Sequence, residues 1–232
     1  MNSDKGICIL MFSGGRDSTL AAIRLAQEWE KLVLVTVTTE HLVGLGSVIK
    51  RLEELKLHLP GNTEWINVIL PPNFGGQQLS TQTCLTCHQV YIVTGVIAAD
   101  RYEASHIAFG YTKYQSNWPE QTPYAIENLT RILDSIGIKT IFPVLNVTSK
   151  EEAIKELNSY NLTKDALEQK CPKQGGNDNS HTPISHEELD RWGESLKRAL
   201  AVRSIQKLNV AATYCLANIE VNKGASIIGH LH

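Results

Sequence analysis

The sequence predicts an α/β fold built on a doubly wound, mostly parallel, Rossmann-like sheet. An apolar run, a glycine turn and an amphipathic segment follow one another over residues 6–31, and the same alternation of strand-like and helix-like segments then repeats along the chain. The chain has 232 residues, of which 42% are hydrophobic and 20% charged. These values are typical of one globular domain and exclude a fibre, a disordered tail and a disulfide-rich peptide.

Continuous apolar runs indicate the strands, because a strand buried on both faces of a parallel sheet carries few polar residues. They predict strands over 6–12, 32–38, 64–70, 105–109, 140–143 and 210–219. Apolar residues at near-helical spacing predict helices over 18–31, 43–57, 90–102, 123–136 and 187–202. One more helix begins after Ser149, which forms a capping box with Glu152. The composition of residues 71–82 and 171–183, rich in Gly and Asn, predicts loops.

The charge balance and the length of the apolar runs exclude several classes of protein. The chain carries 22 Lys+Arg against 24 Asp+Glu, so no overall positive field attracts nucleic acid. The longest apolar runs, 7–12 and 31–37, are far shorter than the about 20 residues that span a bilayer. The first residues do not follow the pattern of a secretory signal. We therefore expect a cytoplasmic protein with no membrane segment.

A glycine-rich loop over residues 13–18, with the sequence Ser-Gly-Gly-Arg-Asp-Ser, separates the first predicted strand from the first predicted helix. Paired glycines let backbone N–H groups face a ligand, and the N-terminus of the following helix attracts negative charge. Ser13, Ser18 and Arg16 add donors that suit phosphate, whereas Asp17 would orient the loop or hold Mg²⁺. A tight turn before a capped helix is the simpler alternative, but all six residues together favour phosphate binding.

This string resembles the SGGxDS signature of the PP-loop ATP pyrophosphatases, whose fold is the adenine nucleotide alpha hydrolase-like class. The resemblance implies that ATP and Mg²⁺ bind here, that AMP is transferred to a carboxylate or carbonyl oxygen, and that a nucleophile then displaces the adenylate. It implies catalytic roles for Ser13, Asp17, Ser18 and Lys150. The implied ATP-binding residues are Phe12, Ser13, Gly14, Gly15, Arg16, Asp17, Ser18, Val37, Thr38 and Gly110.

Two further segments are similar to the 7-cyano-7-deazaguanine synthases of this superfamily. Residues 106–120 resemble their strand, glycine and substrate loop, and residues 142–152 resemble a segment that precedes a helix, a loop and a cysteine. The similarity implies adenylation of 7-carboxy-7-deazaguanine, followed by attack of ammonia or another amine, such as one on a protein. The product would be an amide, a nitrile or a base–amine conjugate, and the chain would fit a paralogue associated with antiviral defence.

The candidate substrate residues follow from that similarity and from their chemistry. Tyr111, Tyr114 and Trp118 would stack on a planar base, and Glu120 would accept from the N1–H and amino edge of a guanine-like ring. Packing under a long loop is the alternative for the aromatic side chains. The full set is His88, Tyr111, Trp118, Pro119 and Glu120.

Five cysteines form an odd set, and two of them lie in a Cys-x-x-Cys pair, Cys84 and Cys87. In a reducing compartment such a pair indicates metal or redox chemistry. Zn²⁺ takes four ligands, and Cys171 matches the position of a zinc ligand in the synthases, whose other three zinc cysteines are missing here. We expect Zn²⁺ to be held by Cys84, Cys87, Cys171 and His181, with His186 as the alternative fourth ligand.

The same three cysteines also resemble cysteines of the PP-loop tRNA sulfurtransferases. Those enzymes use comparable cysteines for an iron–sulfur cluster or a sulfur relay. The third cysteine stands 84 residues after Cys87. The acidic charge balance and the lack of a Lys/Arg stripe count against tRNA as the partner. A nucleotide-binding partner protein without catalysis is a third hypothesis, against which the intact Ser13, Asp17 and Ser18 count.

The domain organisation expected from these patterns is one main unit. Residues 1–204 would form the PP-loop domain with its cysteine metal site, and residues 205–232 a C-terminal extension packed on it. A homodimer that takes a small-molecule base and an amine donor is the expected assembly.

Overall fold

The computed structural model describes residues 6–70, 84–171, 184–203 and 210–216. Its strands are β1 (Ile7–Met11), β2 (Lys31–Thr38), β3 (Glu64–Ile69), β4 (His106–Phe109), β5 (Lys139–Ile141) and β6 (Val210–Cys215). Its α-helices are α1 (Arg16–Ala26), α2 (Leu45–Leu55), α3 (Leu85–Tyr102), α4 (Pro123–Asp134), α5 (Lys150–Ser159) and α6 (His186–Ala201). Two short 3-10 turns, Lys113–Gln115 and Pro119–Gln121, lie between β4 and α4.

The strands form one six-stranded sheet in the order β5-β4-β1-β2-β3-β6. All pairs are parallel except β3 with β6, which run antiparallel. The predicted doubly wound, mostly parallel sheet is therefore confirmed. The antiparallel edge strand β6 belongs to the predicted C-terminal extension, and it pairs with the sheet of the main unit.

Helices cover both faces of the sheet, because successive strand residues point to opposite sides. On one side, Ile9 and Val33 pack in the core that includes residues of α3, α4 and α6. On the other, Cys8 and Leu10 pack in the core that includes residues of α1, α2 and α5. Both layers bury apolar side chains completely, which explains why the strands read as continuous apolar runs.

The strand order places a topological switch point between β1 and β4. The helix that follows β1 packs on one face of the sheet, whereas the helix that follows β4 packs on the other. The connections therefore diverge and leave a crevice at the carboxyl ends of these strands, where open α/β sheets bind ligands. Gly110 follows β4 there, and a Cβ on it would lie 2.8 Å from the Ser18 backbone N.

Four helices begin at different residues from those predicted: α1 and α6 begin two residues and one residue earlier, and α2 and α3 have identifiable causes. Helix α3 starts at Leu85 rather than residue 90, because Leu85 is buried and its carbonyl accepts a 3.0 Å bond from Trp192 Nε1. Helix α2 starts at Leu45 rather than residue 43, because Val43 is paired with Lys170 and Gly44 adopts a left-handed conformation, with φ of 97°. No helix within the described ranges has the length and apolar character needed to cross a membrane.

A fully buried arginine ties the segment after α5 to the rest of the fold. Residues 163–171, which we call the strap, follow α5 and run back across the first turn of α1. Arg51 on α2 donates from Nη2 to the carbonyl oxygens of Thr163, at 3.0 Å, and Asp165, at 2.6 Å, and from Nη1 to Glu54 Oε2 at 2.6 Å. A buried guanidinium is tolerated only where acceptors replace water, and these acceptors therefore fix the start of the strap.

We expect Arg51→Met to lower the free energy of unfolding by about 2–3 kcal/mol, because the two strap carbonyls lose a charged donor while the apolar stem is kept. Lys50→Met, at an exposed position on the same helix, is the matched control and should change it by less than about 0.5 kcal/mol. Urea unfolding followed by circular dichroism gives both values. Equal losses in the two variants would show that the buried guanidinium does not hold the strap.

Candidate functional site

A cleft of about 360 Å³ opens at the carboxyl ends of β1, β2 and β4. Its volume lies in the range of small-molecule sites. One wall is the predicted phosphate loop, a second is the start of α3 with the cysteine pair, and a third is the connection after β4. The predicted site residues on its lining are Phe12, Ser13, Gly15, Arg16, Asp17, Ser18, Val37, Cys84, Cys87, His88, Gly110, Tyr111, Trp118, Glu120 and Cys171.

The phosphate loop is held in shape by short-range hydrogen bonds. The backbone N–H of Gly15 donates to Ser13 Oγ at 3.1 Å, and Ser13 Oγ lies 3.1 Å from Ser18 Oγ. Gly14 has φ of 83°, in the left-handed region that favours glycine. Gly15 is the N-cap of α1, so the free amides of the first helical turn lie at the cleft wall. The loop therefore presents to the cleft the glycine backbone, hydroxyl groups and helix N-terminus from which its sequence predicts phosphate binding.

Asp17 has a partner in a neighbouring loop. The phenol of Tyr114 lies within hydrogen-bond distance of both Asp17 oxygens, at 2.7 and 2.8 Å. Burial raises the pKa of the Asp17 carboxyl, and the Tyr114 hydrogen bond and the nearby Arg16 partly offset the rise. Tyr114 therefore fixes the orientation of the half-buried Asp17 carboxyl beside the phosphate loop. The sequence predicts instead that Tyr114 stacks on a base.

His88, Tyr111 and Glu120 form a polar cluster on the opposite wall. His88 Nε2 lies 3.1 Å from Glu120 Oε1, and the Tyr111 phenol lies 3.4 Å from His88 Nδ1. Glu120 is 1% exposed, and its carboxylate pairs with His88. Burial alone would raise the pKa of Glu120, but the charge and hydrogen bond of His88 outweigh it and hold the pKa below its usual range. The cluster thus keeps an acceptor-rich carboxylate at the cleft.

The three candidate metal-binding cysteines lie around one phenol. Cys84 is the N-cap of α3, Cys87 lies in its first turn, and Cys171 ends the strap. Burial, and then the charges of Cys87, Cys171 and Cys84, raise the pKa of Tyr91. None of the three cysteines forms a disulfide bond, and each lines the cleft together with Tyr91.

These thiols do not form a metal site in the part of the chain that the structure describes. Thiolates suit Zn²⁺ or an iron–sulfur cluster, but no group of three or more His, Cys, Asp or Glu among those residues is placed to hold a metal ion. The predicted fourth ligand, His181, lies outside the described residues, and the alternative, His186, stacks on Tyr124 at 4.0 Å between ring centroids. The zinc expectation is therefore not supported, and the chemistry proposed below uses no metal held by these cysteines.

Four other predicted residues lie at the margin of the cleft or away from it. Among the described residues that line it, Gly14, Thr38, Pro119 and Lys150 do not appear. Gly14 and Pro119 are neighbours of lining residues, and Thr38 donates to Asn67 Oδ1 at 2.8 Å. Lys150 is exposed at the first residue of α5, where Ser149 is the N-cap as predicted. The structure thus does not bring Lys150 to the phosphate loop.

Besides Lys170, the strap supplies two cleft residues that no motif in the sequence indicates, Glu168 and Gln169. Burial and the like charge of Asp17 raise the pKa of Glu168, and Arg16 and two other basic side chains oppose that rise. Gln169 donates from Nε2 to the carbonyl oxygen of Val37 at 3.1 Å. Both side chains reach the site only through folding, because about 150 residues separate them from the phosphate loop.

We expect His88→Ala to lower the free energy of unfolding by about 1–3 kcal/mol at pH 7, because a buried carboxylate loses its hydrogen-bonding partner. The folded-state pKa of Glu120 is depressed, so its contribution to stability is present above the ordinary value of 4.5 and is lost as the pH falls through the folded-state value. The loss in His88→Ala should therefore shrink at pH 4 in urea unfolding. Glu120→Gln is the control, since in that background His88→Ala should cost much less at pH 7. A loss that is independent of pH and of Glu120 would contradict the pairing.

Comparison with known proteins identifies the fold. No protein-family model and no curated protein matches the sequence. Among solved structures, a 4-thiouridine synthetase–RNA complex with bound ATP matches over 88% of this chain at 14% identity and a TM-score of 0.59, although the match spans only 55% of that chain. The U34-tRNA thiolase NcsA from Methanococcus maripaludis with its [4Fe-4S] cluster matches over 89% of this chain and 74% of its own, at 13% identity and 0.51.

The NMN synthetase from Francisella tularensis matches over 95% of this chain and 90% of its own, at 14% identity and a TM-score of 0.50. At such identities the similarity establishes the fold and no more. The chain therefore has the mostly parallel, Rossmann-like α/β fold of these structures.

Proposed function

We propose that this protein uses ATP to adenylate a carboxylate on a 7-deazaguanine-type base, releases pyrophosphate, and lets ammonia or another amine displace AMP. The observation that carries the proposal is that the phosphate loop and the buried Glu120 carboxylate open into one cleft. A nucleotide on the loop and a donor-rich base on Glu120 would therefore share that cleft. The bound ATP in one structure of the same fold supports the choice of nucleotide.

The phosphate loop accounts for the first half of the reaction. A carboxylate oxygen of the base attacks the α-phosphorus, the bond from that phosphorus to the bridging oxygen breaks, and Mg²⁺–pyrophosphate leaves with the electron pair. The first-turn amides of α1, the hydroxyls of Ser13 and Ser18, and Arg16 would stabilise the negative charge that grows on the leaving group. Asp17, oriented by Tyr114, would bind the Mg²⁺ that accompanies ATP. Val37, at the end of β2, would hold adenine through its backbone.

The second wall accounts for selection of the base. A carboxylate that is 1% exposed and pairs with His88 through one oxygen would be stabilised further by a ligand that brings two adjacent N–H groups, as the N1–H and amino edge of a guanine-like ring does. Tyr111 stacks on Phe142 at 5.6 Å between ring centroids, which gives this wall a flat aromatic surface. Glu120 would thus orient the base so that the carboxylate of the base faces the phosphate loop.

The amine completes the reaction. It attacks the acyl carbon of the mixed anhydride, the bond to the AMP oxygen breaks, and AMP leaves while the amine loses a proton. Ammonia gives an amide, which a second activation would convert to a nitrile, and an amine on a protein gives a base–amine conjugate. A role in antiviral defence would follow from that last outcome.

A second candidate is tRNA thiolation, because Cys84, Cys87 and Cys171 line the same cleft as the phosphate loop. Two of the structures with this fold are a 4-thiouridine synthetase and a U34-tRNA thiolase. In this reaction a carbonyl oxygen of a nucleobase would be adenylated and a sulfur nucleophile would displace AMP. The two candidates share the ATP half-reaction and differ in acceptor and nucleophile. A non-catalytic nucleotide-binding protein is the third.

We expect AMP together with the amide or nitrile when the protein is incubated with Mg²⁺–ATP, 7-carboxy-7-deazaguanine and ammonium, as measured by mass spectrometry. Asp17→Asn should reduce AMP formation by about 100-fold, because the carboxylate beside the transferred group is lost. Asp134→Asn, an exposed Asp→Asn change at the end of α4, is the matched control and should leave the rate unchanged. AMP formation only with tRNA and sulfide would support the thiolation candidate, and ATP binding without AMP formation under either condition would support the non-catalytic one.

Tyr114→Phe should move the acidic limb of the pH–rate profile to higher pH. The Tyr114 hydrogen bond lowers the pKa of Asp17, so removal of this bond raises that pKa. On acidification, the Asp17 carboxylate is then protonated at a higher pH. The measurement is AMP formation from pH 5 to 8 in the two proteins. Tyr124→Phe, whose phenol bonds Asp190 away from the loop, is the control. A lower rate with an unshifted profile would mean that Tyr114 acts only on structure.

A further inference from the structure

We propose that the strap is an autoinhibitory element, in which Glu168 occupies the position of a nucleotide phosphate and Gln169 takes the hydrogen bond that adenine would make with Val37. Nucleotide then binds by displacing residues 167–170 from the phosphate loop. This inference rests on the proposed ATP site. It concerns how access to that site is controlled, which the reaction itself leaves open.

Glu168 lies on the phosphate loop at the place an anion would take. A Cβ added to Gly15 would clash with Glu168 Oε2, so the carboxylate is in close contact with the N-cap of α1. The first-turn amides and the positive end of the helix attract a carboxylate for the same reason that they attract a phosphate. Arg16, the cation of the loop, interacts with Glu168 electrostatically. One carboxylate therefore lies at the helix N-terminus and near the cation on which the pyrophosphate of ATP would depend.

Gln169 lies at the second half of the nucleotide site. Its amide nitrogen donates to the Val37 carbonyl oxygen at 3.1 Å, at the end of β2. The exocyclic amine of adenine is an N–H donor of the same kind, so both cannot use this acceptor in the same direction. Neighbouring residues of one segment thus take the phosphate and adenine contacts of the same site.

The glycine pair accommodates the strap as well as a ligand. A Cβ added to Gly14 would lie 2.7 Å from the carbonyl oxygen of Leu167, in the strap backbone. The strap therefore passes directly over Gly14 and Gly15, and the bare backbone that suits a phosphate is covered in this conformation.

The strap is firmly held at its beginning and is joined to the rest of the fold by few bonds further along. Arg51 fixes its beginning through the carbonyls of Thr163 and Asp165. Further along, one antiparallel bridge joins the strap to the loop that follows β2. The Val43 N–H donates to the Lys170 carbonyl oxygen at 3.0 Å, and the Lys170 N–H donates to the Val43 carbonyl oxygen at 2.8 Å. The like charges of Glu168 and Asp17 repel each other in this half-buried site, which opposes the position of the strap over the phosphate loop. A segment with one fixed end, few bonds and an internal repulsion is suited to displacement by a ligand.

Two ligand fragments test the two contacts separately. We expect Glu168→Ala and Glu168→Gln to raise the affinity for Mg²⁺–pyrophosphate by about tenfold or more, as when a binding-competent state of about one-tenth of the molecules becomes dominant. Gln169→Ala should raise the affinity for AMP. Glu127→Ala, at an exposed position on α4, is the control and should change neither. Isothermal titration calorimetry gives the dissociation constants.

Hydrogen exchange of the wild-type protein tests the direction of movement. Mg²⁺–ATP should speed exchange of the Lys170 amide, because displacement breaks its bond to Val43. Slower exchange would mean that the strap closes over the nucleotide. Unchanged pyrophosphate binding in both Glu168 variants would mean that Glu168 does not compete with pyrophosphate, and weaker binding would mean that Glu168 helps to bind it. Each of these results would overturn autoinhibition while leaving the ATP site intact. Absence of pyrophosphate, AMP and ATP binding in all of these proteins would instead overturn the ATP site, and the strap with it.

Discussion

The close approach of Gly110 to the first turn of α1 is the constraint on which the candidate site depends. β1 and β4 are adjacent and parallel, and the chain leaves them toward opposite faces of the sheet. Because Gly110 has no Cβ, the end of β4 can lie against the Ser18 backbone. The connection after β4 is thereby brought beside the phosphate loop. Glu120, Tyr111 and Tyr114 all reach the site through this connection.

Three carboxyl groups meet at the cleft, and their surroundings separate their properties. Glu120 is the most buried, yet its pKa is held low by His88. Asp17 and Glu168 are less buried, but burial raises the pKa of each, and the like charge of Asp17 raises the pKa of Glu168 further. The site therefore combines one firmly ionised acceptor with two carboxyl groups that a cation or a rearrangement would relieve. Such a division suits a reaction that needs both a base-binding group and a group beside Mg²⁺–ATP.

The cysteines show how a shared location differs from a formed site. Cys84 and Cys87 approach the cleft because α3 begins at Leu85, and Cys171 approaches because the strap ends there. Their common neighbour is Tyr91, and among the described residues they do not form a metal-binding group. What the fold establishes is that thiols stand on the same cleft as the phosphate loop. An adenylated acceptor in that cleft would therefore be within the same cavity as candidate sulfur nucleophiles.

The sequence by itself determined the elements and the phosphate loop, because both are local. Apolar runs and helical spacing are read within a dozen residues, and Ser13 to Ser18 carry their chemistry in one contiguous turn. Pairings across long separations were decided only by the tertiary structure, since no local pattern encodes them. Asp17 meets Tyr114, His88 meets Glu120, and the edge strand β6 runs antiparallel to β3. The strap is the clearest case, because its contacts with the loop exist only once Arg51 and the sheet have brought residues 163–171 back across the fold.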